Sequence, residues 1–481
     1  MGRQSVIPRA LPRPIRVTTK PARPCYHCLI LFTPCTLQIL KMLFPRLLYN
    51  QCTPMGWPRK PHRCIPQLAL GCALLLLGGQ AAAQAKTRVS LEEAIQLAVA
   101  HNPTLQATRS QIPQSKAEEI TANLRPNPVL SWDTQFIPLF NPSQISADYF
   151  NTQAQFDLGL GYLLERGRKR QHRLEAARDQ TSVTVAQVSD AERSLIFNVA
   201  QQFINVLLAE SNLQFANEAL KSYQETVNIS EERYRAGDIS EGDFLKIKLQ
   251  LLQFQTDVSS AMLARTQALA TLRQNLGYEA VSQDFDVEGD LQYKPLKLNA
   301  DDLKATALRS RPDVAAAQKG ITLAQSQHTL ELANGKRDLN TSFNYSHVAG
   351  LNTGAFFFNM EIPIFNRNQG EIARTQLAIA QSQSSARAAE EAALTDVTNA
   401  YEAVHNTDQV LQLYSSGYLD QAKQSRDISE YAYKSGAASL LDLLDAERSY
   451  RTTQLAYRQS LANYMIALEQ LRQAVGVRNI P

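Results

Sequence analysis

Acidic residues are absent from the first 85 of the chain's 481 positions, although 11 of its 49 Lys and Arg residues fall there. The formal net charge of +4 therefore hides an asymmetry. From Lys86 onward, 38 basic residues face 45 acidic ones, a net charge of −7. A folded segment of that length with no acid would be unusual, so the first segment reads as something other than fold. Cysteine is equally confined. All six (Cys25, Cys28, Cys35, Cys52, Cys64 and Cys72) lie before Lys86, which excludes disulfides and thiolate metal sites from the rest of the chain. Cys25-x-x-Cys28 has the form of half a zinc site, but no second Cys/His pair sits at matching spacing. Chance within a removed segment is the stronger reading.

Long hydrophobic runs are also missing. The apolar run Leu68–Leu77 is too short to span a bilayer as a helix. It follows Met55 and the basic residues Arg59, Lys60 and Arg63, and it precedes the small-residue site Ala83-Gln84-Ala85. Basic, apolar and small regions in that order make a signal peptide over 55–85. Cys72 after Gly71 offers lipidation as the other route, but Ala69-Leu70 fits that signal poorly, so cleavage after Ala85 is favoured. Residues 1–54 are Pro- and Arg-rich without a consistent period and read as a spurious or disordered extension. An exported, cysteine-free, mildly acidic chain points to the envelope of a Gram-negative cell.

Proline is absent from Glu165 to Gly237 and again from Gln369 to Gly436. Each stretch predicts a helix that would reach roughly 100 Å at 1.5 Å per residue. The two stretches belong to a repeat offset by 199 positions. Tyr234-Arg-Ala-Gly237 matches Tyr433-Lys-Ser-Gly436, and Ser240, Asp243 and Leu245 match Ser439, Asp442 and Leu444. Leu272-Arg-Gln-Asn-Leu-Gly277 matches Leu471-Arg-Gln-Ala-Val-Gly476. After each glycine turn, apolar residues recur at spacings of three and four. Leu440, Leu443, Glu447, Tyr450, Gln454, Tyr457, Leu461, Tyr464, Leu468, Leu471 and Val475 form one heptad seam. The reading divides the chain into a first repeat over 86–281, a linker over 282–299 and a second repeat over 300–481. The helical hairpins are expected at about 165–277 and 369–476.

Between the short and long helices the period switches to two. Strands are expected at about 128–137, 151–162, 339–348 and 354–364. Trp132, Phe156, Phe343, Phe356 and Phe358 lie on the apolar faces, with Ser131, Asp157, Asn344 and Asn359 opposite. About ten residues of such alternation mark a transmembrane strand. A half-buried sheet in a soluble protein would alternate in the same way. The secretion signal and the two isolated hairpins favour lipid. Four strands alone leave unpaired edges in lipid, so several chains must pool them.

Taken together, Ser90-Leu-Glu-Glu-Ala-Ile-Gln-Leu-Ala98 with Asn102-Pro103, Arg311-Pro312-Asp313, Ile362-Pro-Ile-Phe-Asn-Arg-Asn-Gln-Gly370 and the two glycine turns resemble the TolC family of outer-membrane efflux channels. The resemblance covers residues 88–478. Arg166-Gly-Arg-Lys-Arg170 is similar to the cobalt–zinc–cadmium metal-efflux subgroup. The resemblance implies a mainly α fold with a transmembrane β part. It implies a homotrimer with a 12-stranded barrel in outer-membrane lipid and a periplasmic α-barrel of coiled-coil-like hairpins. Its implied partners are a periplasmic adaptor (membrane fusion protein) and an inner-membrane RND-type pump, with no nucleic acid.

Nothing in the sequence points to catalysis, a cofactor or a bound metal. His101, His172, His328, His347 and His405 are scattered, and neither a phosphate loop nor a Gly-x-Ser-x-Gly motif occurs. The resemblance places Tyr433, Asp442 and Asp445 at the periplasmic aperture, with Asp243 as the first-half counterpart of Asp442. Asp442 and Asp445 share a helix face, and threefold symmetry would set six carboxylates around one axis. Ser439-x-x-Asp442 and Ser240-x-x-Asp243 are equally well formed as helix caps. Gly237 and Gly436 are expected to need positive φ and to meet the adaptor. Family channels can carry an arginine two residues after the second glycine, where this chain has Ala438. The functional reading is a passive efflux conduit for metal cations or small toxic compounds. The alternatives are a type I protein-secretion channel and a non-channel periplasmic coiled-coil scaffold.

Overall fold

A computed structural model describes residues 88–480. The N-terminal extension and the signal peptide of the sequence reading lie outside the described residues. The first half runs β1 (Arg88–Val89), α1 (Leu91–His101), α2 (Pro103–Arg109), α3 (Gln111–Ala122), β2 (Val129–Gln135), α4 (Ala147–Thr152), β3 (Gln155–Leu164), α5 (Lys169–Ala236) and α6 (Glu241–Leu276). After β4 (Asp286–Val287), the second half runs α7 (Ala300–Ser310), α8 (Pro312–Asn334), β5 (Leu339–Val348), β6 (Leu351–Met360), α9 (Gln369–Leu413), α10 (Leu419–Lys434) and α11 (Leu440–Val475).

The two halves repeat not only elements but contacts. Asn102 and Arg311 each precede a helix-starting proline, and both are buried. Asn102 Nδ2 donates to the Asn275 carbonyl at 2.8 Å, and Arg311 Nη1 donates to the Ala474 carbonyl at 3.1 Å. Those two carbonyls occupy matching positions at the end of α6 and α11. Different side chains thus satisfy the same late-helix acceptor in each half.

Helix α5 is 68 residues long. Gly167 and Arg168, at φ +73° and +58°, turn the chain out of β3 just before it begins. No proline interrupts it. The matching stretch of the second half differs from the unbroken helix expected of it. Tyr414–Tyr418 forms a π-type turn with Gly417 at φ +113°, which separates α9 from α10. Glycine permits that conformation where another residue would keep the helix straight.

Helices α6 and α11 bury their seams as the heptad pattern predicts. Phe244, Ile247, Phe254, Leu272 and Leu276 are buried along α6. Leu440, Leu443, Leu461, Tyr464, Leu471 and Val475 are buried along α11. One apolar cluster joins α1 to the middle of α5 and the end of α6, and a second joins α7 to α9 and α11. The linker is not featureless. Its β4 pairs in parallel with β1, and Arg265 clasps Asp286 at 2.7 and 2.8 Å.

The remaining strands form one antiparallel sheet in the order β2-β3-β5-β6. Strand boundaries shift from the sequence expectation for local reasons. Residues 147–152 are helical, because Ser146 accepts a hydrogen bond from Tyr149 N–H at 3.1 Å, so β3 starts at Gln155. Strand β2 stops before Phe136, which has φ +59°. Strand β6 covers Leu351–Met360 and not 354–364, since Pro363 has no N–H to continue the ladder. Ile362 and Ile364 therefore fall beyond the sheet.

Register settles which residues share a face. Leu130, Leu160, Phe343 and Phe356 align across all four strands, and Trp132, Leu158 and Tyr345 form the next row. Phe156 and Phe358 lie on that same face. The opposite face carries Ser131, Gly159, Asn344 and Ala355, then Asp133, Asp157, Ser346 and Thr353. The apolar face is uncovered. Trp132 is 75% exposed and Phe356 73%. Phe156 is half-buried beside Phe150, with ring centroids 6.0 Å apart.

Candidate functional site: the hairpin tips

The two long hairpins turn at equivalent structures. Gly237 has φ +81° and Gly436 φ +80°. Asp238 N–H donates to the Arg233 carbonyl at 2.8 Å, and Ala437 N–H donates to the Ala432 carbonyl at 2.7 Å. Both are Schellman-type helix ends, in which a left-handed residue lets the chain double back onto a late carbonyl. Ser240 then caps α6 and Ser439 caps α11.

The expected site residues separate into three situations. Asp442 takes part in a complete capping box. It accepts from Ser439 N–H at 3.1 Å and from Ser439 Oγ at 2.7 Å, while Ser439 Oγ accepts from Asp442 N–H at 3.3 Å. Asp243 accepts from Ser240 Oγ at 2.9 Å and pairs with Lys246 at 3.1 Å. The Ser240 and Lys246 hydrogen bonds hold its carboxyl below the usual carboxylate range. Asp445 is exposed one helical turn beyond Asp442 on α11.

Tyr433 stands apart from the three carboxylates. Its ring is buried in an apolar cluster with Tyr223, Val227, Ile247, Phe254, Leu440 and Leu443. That cluster binds the first hairpin to the second, and the stacked rings of Tyr223 and Phe254, 4.5 Å apart, lie inside it. Arg233 Nη1 donates to the Tyr433 carbonyl at 2.7 Å, and its guanidinium carbon lies 5.2 Å from the Tyr433 ring centroid. Arg233 is not among the sequence candidates, because the resemblance points to a position after the second glycine and Arg233 precedes the first. Its signal is a basic residue in the last turn of the first-half helix, four residues before Gly237.

Further along the hairpins, arginines pair with acids and lie against aromatic rings, both between the halves and within the second. Arg451 pairs with Asp257 and lies 4.4 Å from the Phe254 ring centroid. Arg426 contacts Glu447 at 3.9 Å and Glu430 at 3.7 Å, and lies over the Tyr450 ring. Burial pushes the Glu447 carboxyl above its ordinary range despite Arg426, and the neighbouring acids Glu430 and Asp427 push it the same way. Among the described residues no group of three His, Cys, Asp or Glu is arranged to hold a metal ion. No helix among them is long and apolar enough to cross a membrane.

An exposed apolar sheet at one end of long paired hairpins defines a membrane-associated helical-hairpin protein. The outer membrane efflux protein family model matches residues 81–278 and 297–477, and this chain belongs to that family. It is a protein of the outer membrane. The gap in the match falls on the linker that carries β4. The probable outer membrane lipoprotein SilC of Salmonella typhimurium is 25% identical over 317 residues, covering 63% of this chain and 68% of the relative. The cobalt-zinc-cadmium resistance protein CzcC of Cupriavidus metallidurans is 23% identical over 393 residues, covering 81% of this chain and 90% of the relative. Among solved structures, CusC superposes with a TM-score of 0.66 at 21% identity, covering 80% of this chain and 92% of that one. The Campylobacter jejuni CmeC outer membrane channel gives a TM-score of 0.68 at 16% identity, with 88% and 94% covered. At these identities the structures establish a shared fold.

Proposed function

We propose that three copies of this chain pool their four-stranded sheets into one transmembrane barrel, and their hairpins into one periplasmic tube. The assembly is a passive conduit to the exterior for metal cations or small toxic compounds. The observation that carries this reading is the sheet. Its edge strands β2 and β6 each keep one unpaired edge, one face is apolar and uncovered, and the other is polar. In lipid, unpaired backbone groups are too costly to leave open. Joining β2 of one copy to β6 of the next closes the sheet with twelve strands, polar side inward.

Energy must come from a partner, because a conduit supplies none. A periplasmic adaptor and an inner-membrane pump fill that role, with the tip turns at Gly237 and Gly436 as the docking surface. The name of the relative CzcC supports metal cations as the cargo. At the mouth of the tube, Asp445 and Asp442 would form a cation-attracting ring, with Asp243 largely neutralised by Lys246. The test is mass measurement of the detergent-solubilised protein. Three chains per particle are expected, and a stable monomer would sink the pooled barrel.

A further inference from the structure

Lys and Arg gather at one end of the sheet. The segments that join strands to helices (residues 124–128, 165–173, 335–338 and 361–374) carry ten Lys or Arg and four Asp or Glu. Residues 129–164 and 339–360, which make up the strands and their far-end connections, hold no Lys or Arg. The excess charge is therefore a belt at the end where the long helices begin.

All four acids of the belt are already engaged. Glu165 pairs with Arg173 at 2.9 Å, Asp338 with Lys169 at 2.8 Å, Glu361 with Arg337 at 3.2 Å and Glu371 with Arg374 at 2.6 Å. Arg125, Arg168 and Arg170 have no side-chain ion pair or hydrogen bond among the described residues, and all three line one cavity of about 390 Å³. The same cavity is lined by Tyr162 and Leu164. Both lie on the face that carries Trp132 and Phe358, so the apolar face runs directly into the basic pocket.

We propose that this cavity seats the phosphate headgroup of an anionic phospholipid from the periplasm-facing leaflet, with its acyl chains along Tyr162 and Leu164. The inference rests on the channel reading above, which puts the strands in the bilayer and the helices in the periplasm. Three uncompensated guanidiniums supply a phosphate site, and the adjoining apolar face supplies what a free phosphate would not use. A zwitterionic headgroup would bring its own cation against those guanidiniums and bind less well. Each basic group near a membrane surface is worth about 1 kcal/mol toward anionic lipid, or about fivefold in affinity.

The test is native mass spectrometry of the full chain released from nanodiscs of equal phosphatidylglycerol and phosphatidylcholine. The wild type should retain phosphatidylglycerol preferentially. The triple variant Arg125→Gln, Arg168→Gln, Arg170→Gln should lower that preference at least about tenfold, given three charges each worth about fivefold. The variant Lys221→Gln with Arg235→Gln, far along α5, should leave it unchanged. Millimolar inorganic phosphate should not displace the retained lipid. Equal retention of both lipids by the wild type, or an undiminished preference in the triple variant, would overturn the inference. So would complete displacement by inorganic phosphate, which would mark a general anion site. Planar-bilayer conductance separates this from the reading beneath it. Proteins that insert and conduct without lipid preference defeat the inference alone, whereas a wild type that never inserts defeats both.

Discussion

Arg233 and Tyr433, 200 residues apart, tie the two hairpins of one chain together near their tips. The guanidinium donates to the Tyr433 carbonyl at 2.7 Å and also faces its ring. Tyr433 in turn is enclosed by residues of both hairpins. The tips are therefore held as a pair by this contact and by the apolar cluster beneath it. Removing the arginine takes away a charge-assisted hydrogen bond worth about 1.5–3 kcal/mol, while the carbonyl keeps its bond from Gly436 N–H at 3.0 Å. Arg233→Ala should make the tip turns more sensitive to limited proteolysis while the sheet end is unaffected, and Arg233→Lys should restore part of the protection. Unchanged cleavage at the tips would show that the apolar cluster alone holds the hairpins.

The glycine turns make a sharper prediction than glycine preference alone. A Cβ at Gly237 would meet nothing within 4 Å, and at Gly436 only Arg233 Nη2 at 3.7 Å. The constraint is thus the positive φ, not space. Gly436→Asn should be nearly neutral, because asparagine tolerates that conformation, whereas Gly436→Val should cost about 1–2 kcal/mol. The valine variant should also weaken resistance to the exported compound while three chains still assemble. Full resistance in that variant would argue that the tip does not dock a partner.

Glu447 predicts an unusual pH dependence. Its carboxyl is raised above the ordinary range in the fold, so the folded state holds its proton more tightly than the unfolded chain does. The favourable contribution is complete below the unfolded carboxylate range and is lost as pH rises through the higher folded value. Glu447→Gln removes the buried charge. It should raise the melting temperature relative to wild type at neutral pH, and the difference should shrink on acidification toward the ordinary glutamate range. A variant less stable than wild type at neutral pH would mean that the Arg426 contact outweighs burial.

Phe358 and Asn359 are neighbours on opposite faces of β6, and both are exposed in the single chain. If the apolar face meets lipid, Phe358→Arg costs about 2–4 kcal/mol near the bilayer midplane and less toward the interface. Asn359→Arg should fold normally and alter only conductance. Heat-modifiable trimer on gels reads the first effect, and single-channel recording reads the second. Equal assembly of both variants would contradict the assignment of faces.

Much of this architecture was legible because it is periodic. The seam of α11 and the strand alternation follow from spacing alone, and Leu443, Leu461 and Tyr464 are buried where the heptad puts them. What was not legible depends on single residues or on partners distant in sequence. The break at Gly417 comes from one glycine within an otherwise helical pattern, although Ser415-Ser416-Gly417 is a readable warning. The β1–β4 pairing joins two-residue strands nearly 200 positions apart, too short to show any period. At the tips, Ser240 and Ser439 were recognisable as caps, but Lys246 beside Asp243 and the burial of Tyr433 required the packed hairpins.

The most direct measurement of the central claim is ionic current through the purified protein in planar bilayers. The account predicts stable single-channel steps with a preference for cations. Asp442→Ala combined with Asp445→Ala should remove that preference, and with it block by trivalent cations, while the steps persist. A wild-type protein that enters the outer membrane but carries no current would contradict the claim that this chain forms a conduit.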